Sequence, residues 1–318
     1  RLRHGHHPGA GALPVHDPGG HSCAQRDPVL KSAGATGECQ SCFAGTSGGP
    51  VPEGPEIRRA ADRIAGVLVG RQIEQAAFAF AELRPFEKRL SGAVVESVDT
   101  RGKAMLTRFN NDLTLYSHNQ LYGRWFTVKR GELPETRRSL RVALHTRTHS
   151  ALLYSASDIS VLTPGQLESH PFLCRLGPDV LDEDLNAHSI VQRLGQRRFM
   201  RRSLAALYLD QSFLAGLGNY LRSEILYGAG LHPKRRPVDL DAAEKSRLAE
   251  QTIRMCRRSY RTGGRTLTGG AAGGKEGRFW VFARASKPCF GCRARIRRED
   301  FAGRRLYYCP DCQLEERS

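Results

Sequence analysis

The chain has 318 residues, more than one hydrophobic core usually requires, so its length predicts two or three domains. Its 49 Lys and Arg residues outnumber 32 Asp and Glu residues, and the net charge of +17 favours a polyanionic partner, nucleic acid before anionic lipid. No apolar run approaches the ~18 residues of a membrane helix, so a membrane-spanning protein is not expected. Nine cysteines, an odd number, disfavour a fully paired disulfide scaffold.

Residues 1–50 differ in composition from the rest of the chain. They are rich in Gly, Pro and His and show no apolar periodicity at the spacing of a strand or a helix. They also lack the continuous apolar core of a signal peptide. The pair Cys39 and Cys42 is a weak signal for a metal site in such a segment. We therefore expect residues 1–51 to form a disordered leader that is absent from the mature protein.

Regular structure is predicted from residue 52 onwards. Pro55 opens a helical pattern, and Gly70 is a plausible C-terminal stop. One face of this helix carries Ile57, Ala60, Ala61, Ile64 and Leu68. Short β-rich runs follow, and the turn at residues 110–112 predicts a hairpin connection. Many short strands at close spacing are typical of a β-sandwich or barrel. The runs cover residues 93–98, 104–109, 113–116, 125–128, 140–144 and 151–154.

The pattern becomes helical again after Pro164. The turn before Asn219 contains Gly216 and Gly218, which would let the backbone approach a ligand closely, and Asn219 can cap the next helix. A helix N-terminus preceded by glycines is also a phosphate-binding geometry, although two packed helices without nucleic acid are an equal alternative. The Gly-rich residues 263–277 predict a mobile loop. The predicted helices cover residues 187–194, 204–209, 219–227 and 242–255.

Two Cys-x2-Cys pairs near the C-terminus form the most specific local motif. Cys289 and Cys292 make the first pair, and Cys309 and Cys312 make the second. Each pair places two thiolates on a tight turn, and four thiolates complete a closed tetrahedral shell, which predicts one structural Zn²⁺. Two disulfides or four unrelated cysteines are the alternatives. The arginines between the pairs indicate a β-hairpin that presents guanidinium groups to phosphates.

Five motifs occur in an order that is similar to one known family. They are PEGPEIRRAA from Pro52, the turn at 101–103, LTLYSHNQLYG from Leu113, the turn at 216–224 and the four-cysteine tail. Together they resemble the endonuclease VIII branch of the formamidopyrimidine-DNA glycosylase superfamily, from residue 52 almost to the C-terminus. The resemblance implies an α+β multidomain fold with three parts. These are an N-terminal β-sandwich with flanking helices over 52–180, a helix-two-turn-helix domain over 181–277 and a C-terminal zinc-finger β-hairpin over 278–318.

The resemblance also implies an activity, that of a bifunctional DNA glycosylase and apurinic/apyrimidinic (AP) lyase of base excision repair. Such an enzyme removes oxidised bases, here pyrimidines in particular, and then cuts the strand by β,δ-elimination. By this resemblance Pro52 is the Schiff-base nucleophile and Glu53 a proton donor. Lys103 is the proton donor for elimination and contacts the phosphate or ring oxygen near the lesion, and Glu56 helps to organise the site.

The same resemblance assigns residues that contact DNA. Gln120, Leu121 and Tyr122 match the intercalating loop, whose apolar groups fill the space left by a flipped-out nucleotide. Core packing is the alternative for Leu121 and Tyr122. Asn219 and Arg304 match positions that contact phosphates. The expected partner is double-stranded DNA containing oxidised bases or abasic sites, bound by a monomer in the bacterial cytoplasm and associated with the nucleoid through DNA.

The sequence departs from the family at the nucleophile. The family uses the amine of an N-terminal proline, whereas Pro52 is internal here, and the nitrogen of an internal proline is a tertiary amide that cannot form an iminium. Val51 stands where the initiator would stand, and GUG encodes valine internally but Met at initiation. Initiation at this codon, followed by removal of Met, would leave Pro52 at the N-terminus.

Two alternatives to a pyrimidine-directed glycosylase remain. One is a purine-directed formamidopyrimidine-DNA glycosylase, and the other is a non-catalytic zinc-dependent protein that binds damaged DNA, if residues 1–51 are retained.

Overall fold

The structure is a computed structural model that describes residues 51–267, 277–301 and 303–315. The expected leader lies outside these residues except for Val51, and so does most of the Gly-rich segment 263–277. All described residues belong to one compact unit, Thr46–Ser318. Within the described ranges, every helix is too short or too polar to cross a lipid bilayer.

The first helix, α1, covers Gly54–Leu68 and begins after Glu53, whose backbone is extended. Pro55 fits the first turn because its φ is already helical and its missing N–H would have no partner there. The buried face consists of Gly54, Pro55, Ile57, Ala61, Ile64 and Leu68. This agrees with the apolar spacing except for Ala60, which is only half-buried. Gly70 follows with a φ of +72°, a conformation that favours glycine.

Two four-stranded antiparallel sheets form a β-sandwich. One sheet has the order β1-β6-β7-β5 and the other has the order β2-β3-β4-β8. Side chains from both sheets share a core with the buried face of α1. The strands are β1 (Gln75–Phe78), β2 (Val95–Arg101), β3 (Ala104–Phe109), β4 (Thr114–His118), β5 (Arg124–Lys129), β6 (Leu140–His145), β7 (His149–Tyr154) and β8 (Asp158–Leu162). A 3₁₀ segment, Ala81–Phe86, and a short helix, α2 (Glu87–Leu90), lie between β1 and β2.

The sandwich confirms the fold expected for this part of the chain, with two strands more than the sequence indicated. All six β-rich runs form strands, and residues 110–112 connect β3 to β4, with Asp112 at a φ of +62°. Strands β1 and β8 were missed. Each has only four or five residues, too few for a clear alternation of buried and exposed side chains, and β1 contains two alanines, which are poor strand formers.

The helical part follows the sandwich and has its own core. Helix α4 starts at the predicted residue, where the Asn186 side chain accepts a hydrogen bond from Ser189 N at 3.0 Å. Helix α7 is longer than predicted and ends only before Gly263, whose φ is +68°. The helices are α3 (Pro164–Glu168), α4 (Ala187–Leu194), α5 (Leu204–Leu207), α6 (Asn219–Ala229) and α7 (Ala242–Thr262). Short 3₁₀ segments cover Leu173–Arg175 and Pro237–Asp239.

The C-terminal hairpin packs directly on this helical core. Its strands are β9 (Arg297–Phe301) and β10 (Arg304–Tyr308), paired in antiparallel register. Leu306 and Tyr308 point away from solvent and join the core that α4, α6 and α7 build. The hairpin is thereby fixed to α6, the helix that begins directly after Gly218.

Candidate active site

A cavity of about 740 Å³ lies where the sandwich, the helical part and the hairpin meet. It collects residues from both ends of the described chain. The predicted site residues in its lining are Pro52, Glu53, Lys103, Gln120, Leu121, Asn219 and Arg304. Glu56, Tyr122 and the four cysteines are not part of the lining. The folded chain thus brings together most residues that the sequence singled out for reaction and DNA contact.

Glu53 is the most constrained side chain of this cavity, with only 3% of its surface exposed. Its Oε1 accepts a hydrogen bond from Tyr220 N at 2.8 Å, and its Oε2 accepts one from Leu221 N at 3.3 Å. Both amides belong to the first turn of α6, whose N–H groups have no partner inside the helix. The carboxylate of Glu53 therefore occupies the N-terminus of α6, which also carries the positive end of the helix dipole.

The glycines before α6 allow a close approach of two segments of the protein, a role that the sequence did not indicate. Gly54 N donates to Gly216 O at 2.8 Å, and a Cβ on Gly218 would lie 2.4 Å from Cδ of Glu53. Gly218, not Asn219, is the N-cap of α6. Of the two alternatives for this helix N-terminus, the structure excludes a phosphate on the amides of Tyr220 and Leu221, since a carboxylate from a distant segment already binds them. No spacing within the helical segment could reveal that partner.

The pKa of Glu53 is raised and the pKa of Lys103 is lowered, so the two values lie closer together than in free side chains. Burial raises the pKa of Glu53 to about 7, although Lys103 and two backbone hydrogen bonds act in the opposite direction. Burial likewise lowers the pKa of Lys103, with Glu53 opposing the shift and Arg304 reinforcing it. A carboxyl group that holds its proton near neutral pH is suited to act as a general acid.

Pro52 and Lys103 reach the cavity from short backbone turns. Pro52 is half-buried directly before Glu53, and Val51 before it is exposed. Lys103 is half-buried in the turn that joins β2 to β3. That turn contains Gly102, which is buried and has a φ of +62°, a conformation strained for residues with a Cβ.

Glu56 lies one helical turn after Glu53 and connects α1 to two other helices. Its Oε2 accepts from Glu53 N at 3.0 Å. Its Oε1 accepts from the Tyr220 hydroxyl at 2.7 Å and from Ser259 Oγ at 3.2 Å. Tyr220 belongs to α6 and Ser259 to α7, so Glu56 fixes the start of α1 from behind the cavity. This arrangement fits a role in organising the site and gives Glu56 no direct access to a substrate.

The turn after β4 holds two large apolar side chains in solvent. Leu121 is 58% exposed and Tyr122 is 59% exposed, so the alternative of core packing is excluded for both. Gln120 has a φ of +48°, and its Oε1 accepts a hydrogen bond from Ser157 Oγ at 2.8 Å. Gly123 N donates to Asn119 O at 2.7 Å and closes the turn. The turn is thus ordered, and its apolar tip is available to insert into a partner.

Arg222 is a residue of this region that the sequence reasoning missed. It is fully buried in α6 and donates to Asn219 Oδ1 at 2.5 Å. It also donates to the carbonyl oxygens of Arg304 and Arg305 in β10, both at 3.3 Å. One side chain thereby aligns Asn219 with the start of the hairpin strand that carries the exposed Arg304. The available signal was an arginine in the first two turns of a helix that also carries Asn219, Ser223 and Glu224, and it does not reveal the partners of Arg222.

His118 is a second missed residue, although it stands inside the motif that ends in Gln-Leu-Tyr. It lines the cavity, and its Nδ1 lies 3.7 Å from Oδ2 of Asp158 in β8. Burial lowers the pKa of His118, Asp158 opposes this shift and Lys103 adds to it. His118 is therefore neutral at pH 7 and offers a hydrogen-bonding ring beside Lys103.

The four cysteines of the tail form a cluster of the size that a zinc ion requires. Their Sγ atoms all lie within 4.8 Å of one another, with Cys289 and Cys312 3.9 Å apart and Cys292 and Cys309 3.4 Å apart. Four thiolates at ~2.3 Å from a zinc ion are about 3.8 Å apart, whereas a disulfide needs about 2.05 Å. All four are free thiols, which removes the alternative of two disulfides.

Comparisons with known proteins agree with this geometry. The family model described as the formamidopyrimidine-DNA glycosylase N-terminal domain matches residues 51–157, and the model of the H2TH domain of the same family matches residues 176–269. Endonuclease 8 from Escherichia coli (strain K12 / DH10B) is 50% identical over 263 residues, which are 83% of this chain and 100% of the relative. The chain belongs to the formamidopyrimidine-DNA glycosylase and endonuclease VIII superfamily.

Solved structures of the superfamily share the fold at low sequence identity. The Lactococcus lactis Fpg in complex with DNA containing N7-benzyl-Fapy-dG has a TM-score of 0.71 and 21% identity, over 83% of this chain and 100% of that one. The same enzyme with abasic-site DNA has a TM-score of 0.70 and 21% identity, over 82% of this chain and 99% of that one. These likenesses confirm the expected fold class, with its sandwich, its helix-two-turn-helix domain and its four-cysteine hairpin.

Membership of the superfamily also confirms the expected class of activity. The protein is a DNA glycosylase and AP lyase of base excision repair, and DNA is its partner. The roles of the individual site residues stay predictions, as do the domain boundaries at residues 180 and 277.

Proposed function

We propose that this enzyme removes oxidised pyrimidines from double-stranded DNA through a Schiff base on the Pro52 amine and then cuts the strand by β,δ-elimination. The observation that carries the proposal is the shared cavity of Pro52, Glu53 and Lys103, in which Glu53 keeps its proton up to a pH of about 7. Identity of 50% to Endonuclease 8, against 21% to the solved Fpg, favours the pyrimidine-directed branch over the purine-directed one.

The covalent step requires a chain that begins at Pro52, because only then is its nitrogen a secondary amine. An α-amino group with a pKa of roughly 8 is partly unprotonated at neutral pH. It attacks C1′ of the damaged nucleotide, the N-glycosidic bond breaks, and the base leaves with the proton that the Pro52 nitrogen loses. Glu53 supplies the proton that the sugar ring oxygen takes up as the ring opens, and the C1′–nitrogen bond becomes an iminium.

Strand cleavage follows from the iminium. It acidifies the C2′ proton, and when water takes this proton the C3′–oxygen bond breaks and the 3′ phosphate leaves. Loss of the C4′ proton to water then breaks the C5′–oxygen bond, and the 5′ phosphate leaves. Lys103 lies in the same cavity as Pro52, and burial lowers its pKa, so it exchanges protons more readily than a solvated lysine. We assign it as the proton donor for these eliminations.

Reaction at C1′ requires the damaged nucleotide to leave the helical stack, at a cost of a few kcal/mol. The exposed side chains of Leu121 and Tyr122 are suited to fill the vacated space, and Gln120 lies beside them in the same turn. Asn219 and Arg304, which Arg222 aligns, are suited to hold the phosphates next to the lesion. Several such contacts predict binding that weakens steeply with salt, by about 0.9 in log K per phosphate and log unit of salt.

We infer that Cys289, Cys292, Cys309 and Cys312 hold one Zn²⁺. Four thiolates leave no open coordination position, so the ion would stabilise the hairpin and take no part in the reaction. The enzyme is proposed to act as a monomer on DNA in the bacterial cytoplasm, and association with the nucleoid would follow from DNA binding.

Borohydride trapping tests the proposed function. A chain that begins at Pro52 should form a covalent adduct with duplexes that contain thymine glycol or an abasic site. A chain that retains residues 1–51 should form none, and neither should the shorter chain with Pro52→Gly and a blocked amine. Binding without any adduct from the shorter chain would overturn the enzyme mechanism in favour of a non-catalytic binding protein. Faster release of 8-oxoguanine than of thymine glycol would identify the purine-directed branch.

A further inference from the structure

We propose that Asp179 is a positioning residue that fixes the turn of Lys103 against the helical part of the protein. Asp179 lies outside the active-site cavity, in the segment that leads from the sandwich to α4. Its Oδ2 accepts a hydrogen bond from Gly102 N at 2.6 Å, and its Oδ1 accepts one from Leu181 N at 2.8 Å. The inference deepens the proposed function and rests on the role given to Lys103 there.

The turn that carries Lys103 has little room to move. A Cβ on Gly102 would lie 3.2 Å from the Cβ of Ala215 and 3.4 Å from Gly216 N, so the backbone of this turn already packs on the turn before α6. The amide of Gly102 is buried in this contact and needs an acceptor inside the protein. Asp179 supplies that acceptor one residue away from Lys103.

The backbone around Asp179 is fixed to the same turn before α6. Val180 N donates to Ala215 O at 3.0 Å, and Ala215 N donates to Pro178 O at 2.9 Å. The next residue, Gly216, accepts the hydrogen bond from Gly54 N at 2.8 Å. Three turns therefore meet here, and they carry Glu53, Lys103 and Asn219 into the cavity. Asp179 connects the turn of Lys103 to the other two.

A carboxylate fits this place because each of its two oxygens accepts from one backbone amide, of which that of the buried Gly102 has no access to solvent. Burial raises the pKa of Asp179, and the two hydrogen bonds and the charge of Arg101 oppose this shift. An asparagine has the same shape but only one acceptor oxygen, so its NH₂ group would face a second N–H donor. Asp179→Asn should thus release either Gly102 or Leu181, and a buried amide without a partner moves until it finds one.

A matched control lies in the same segment. Asp184 and Asp179 both line a second cavity of about 910 Å³ on the outer side of this junction. Asp184 is exposed, and its replacement by Asn removes the same charge from the same cavity without affecting the acceptor of Gly102. Gly102→Ala provides a second probe, because its methyl group would push the turn away from Ala215 while Asp179 remains intact.

The experiment measures base removal and strand cutting in single turnovers on a thymine-glycol duplex, with the active protein that forms the trapped adduct. Asp179→Asn and Gly102→Ala should each slow the reaction by about 10- to 100-fold, since a displacement near 1 Å costs about that much. Their DNA dissociation constants should stay within about 2-fold of the parent protein, and Asp184→Asn should match the parent in both respects. Melting curves identify any variant that does not fold.

Coupling to Lys103 separates a positioning role from a general loss of stability. In a Lys103→Ala background, Asp179→Asn should slow the reaction no further than about 2-fold, because the group that it positions is already gone. Two results would overturn the inference and leave the proposed function intact. One is a further 10- to 100-fold decrease in rate when Asp179→Asn is added to Lys103→Ala. The other is an unchanged rate for both Asp179→Asn and Gly102→Ala. A parent protein that forms no trapped adduct would overturn the proposed function, and this inference with it.

Discussion

The four-cysteine hairpin and the active-site cavity are built in different ways. All four cysteines lie between residues 289 and 312, and two short turns bring their sulfurs together. The cavity joins the start of α1, the turn before β3, the turn after β4, the start of α6 and the hairpin. Its central carboxylate, on Glu53, is bound by amides of Tyr220 and Leu221, more than half of the chain away.

The two regions are therefore stabilised by different kinds of interaction. The hairpin has few buried side chains of its own, so a bound metal would supply much of its folding free energy. The cavity instead depends on hydrogen bonds between distant segments of the chain, and those from Tyr220 N and Leu221 N also lower the pKa of Glu53, against the effect of burial. A substitution in the hairpin should therefore alter DNA binding first, and one in the cavity should alter the reaction first.

The largest effect is expected for Glu53→Gln, which tests the cavity. Loss of the acid that protonates the ring oxygen should slow formation of the borohydride-trapped iminium by about 10²- to 10⁴-fold while DNA binding persists. The reactive form needs Glu53 protonated and Pro52 unprotonated, with pKa values of about 7 and roughly 8, so the parent rate should peak between pH 7 and 8. The variant should keep the rise that belongs to Pro52 and lose the fall at high pH.

Single-turnover rates from pH 6 to 9 measure this profile, and Glu96→Gln on the exposed face of β2 is the matched control. A Glu53→Gln protein that still loses activity at high pH would assign that fall to another group and remove Glu53 from its proposed role.

A smaller effect is expected for Cys309→Ala, which tests the hairpin. The variant should not retain the proposed zinc and should lose the placement of Arg304, whose proposed charged hydrogen bonds to phosphate would contribute about 1.5–3 kcal/mol. Affinity for a lesion-containing duplex should fall by about 10- to 100-fold. Cys174→Ala, at an exposed cysteine outside the cluster, should keep both metal and affinity. Metal analysis and DNA titrations provide the measurements, and unchanged affinity in a zinc-free protein would contradict a DNA-gripping role for the hairpin.

The smallest effect is expected for Leu121→Ala, which affects neither the cavity core nor the hairpin. Without the wedge, base removal should slow by about 10-fold, because part of the unstacking cost of a few kcal/mol is no longer offset. Cleavage at an abasic site, where no base must be extruded, should change less. Leu133→Ala removes a leucine that is 74% exposed elsewhere and should leave both rates unchanged. Equal losses on the two substrates would argue against a wedge.

The sequence predicts the local features of this protein well. The apolar spacing of α1, the six central β-rich runs and the pairs of cysteines each reflect interactions within a short stretch of chain, and the structure confirms them. The strands β1 and β8 escape prediction because four or five residues give too few alternating positions to stand out from the surrounding sequence.

Contacts between distant segments could not be predicted in the same way. The glycines before α6 are consistent with an open phosphate site until Glu53 is seen on the amides of Tyr220 and Leu221. Arg222 resembles any arginine in a helix until its partners in β10 are known. Both cases involve polar groups whose partners come from another part of the fold, and no periodicity reports on such pairs.

The close approach of Gly54 and Gly216 restricts which sequences this enzyme can tolerate. An added methyl group on Gly54 would lie 2.9 Å from the Cα of Gly216, and one on Gly216 would lie 3.0 Å from a methyl carbon of Val180. Neither glycine carries a reactive atom, yet a side chain on Gly54 would push the start of α1 away from the turn before α6, and one on Gly216 would push that turn away from Val180. In a library of random variants, substitutions at Gly54 and Gly216 should therefore lower activity, although neither residue is expected to contact a nucleotide.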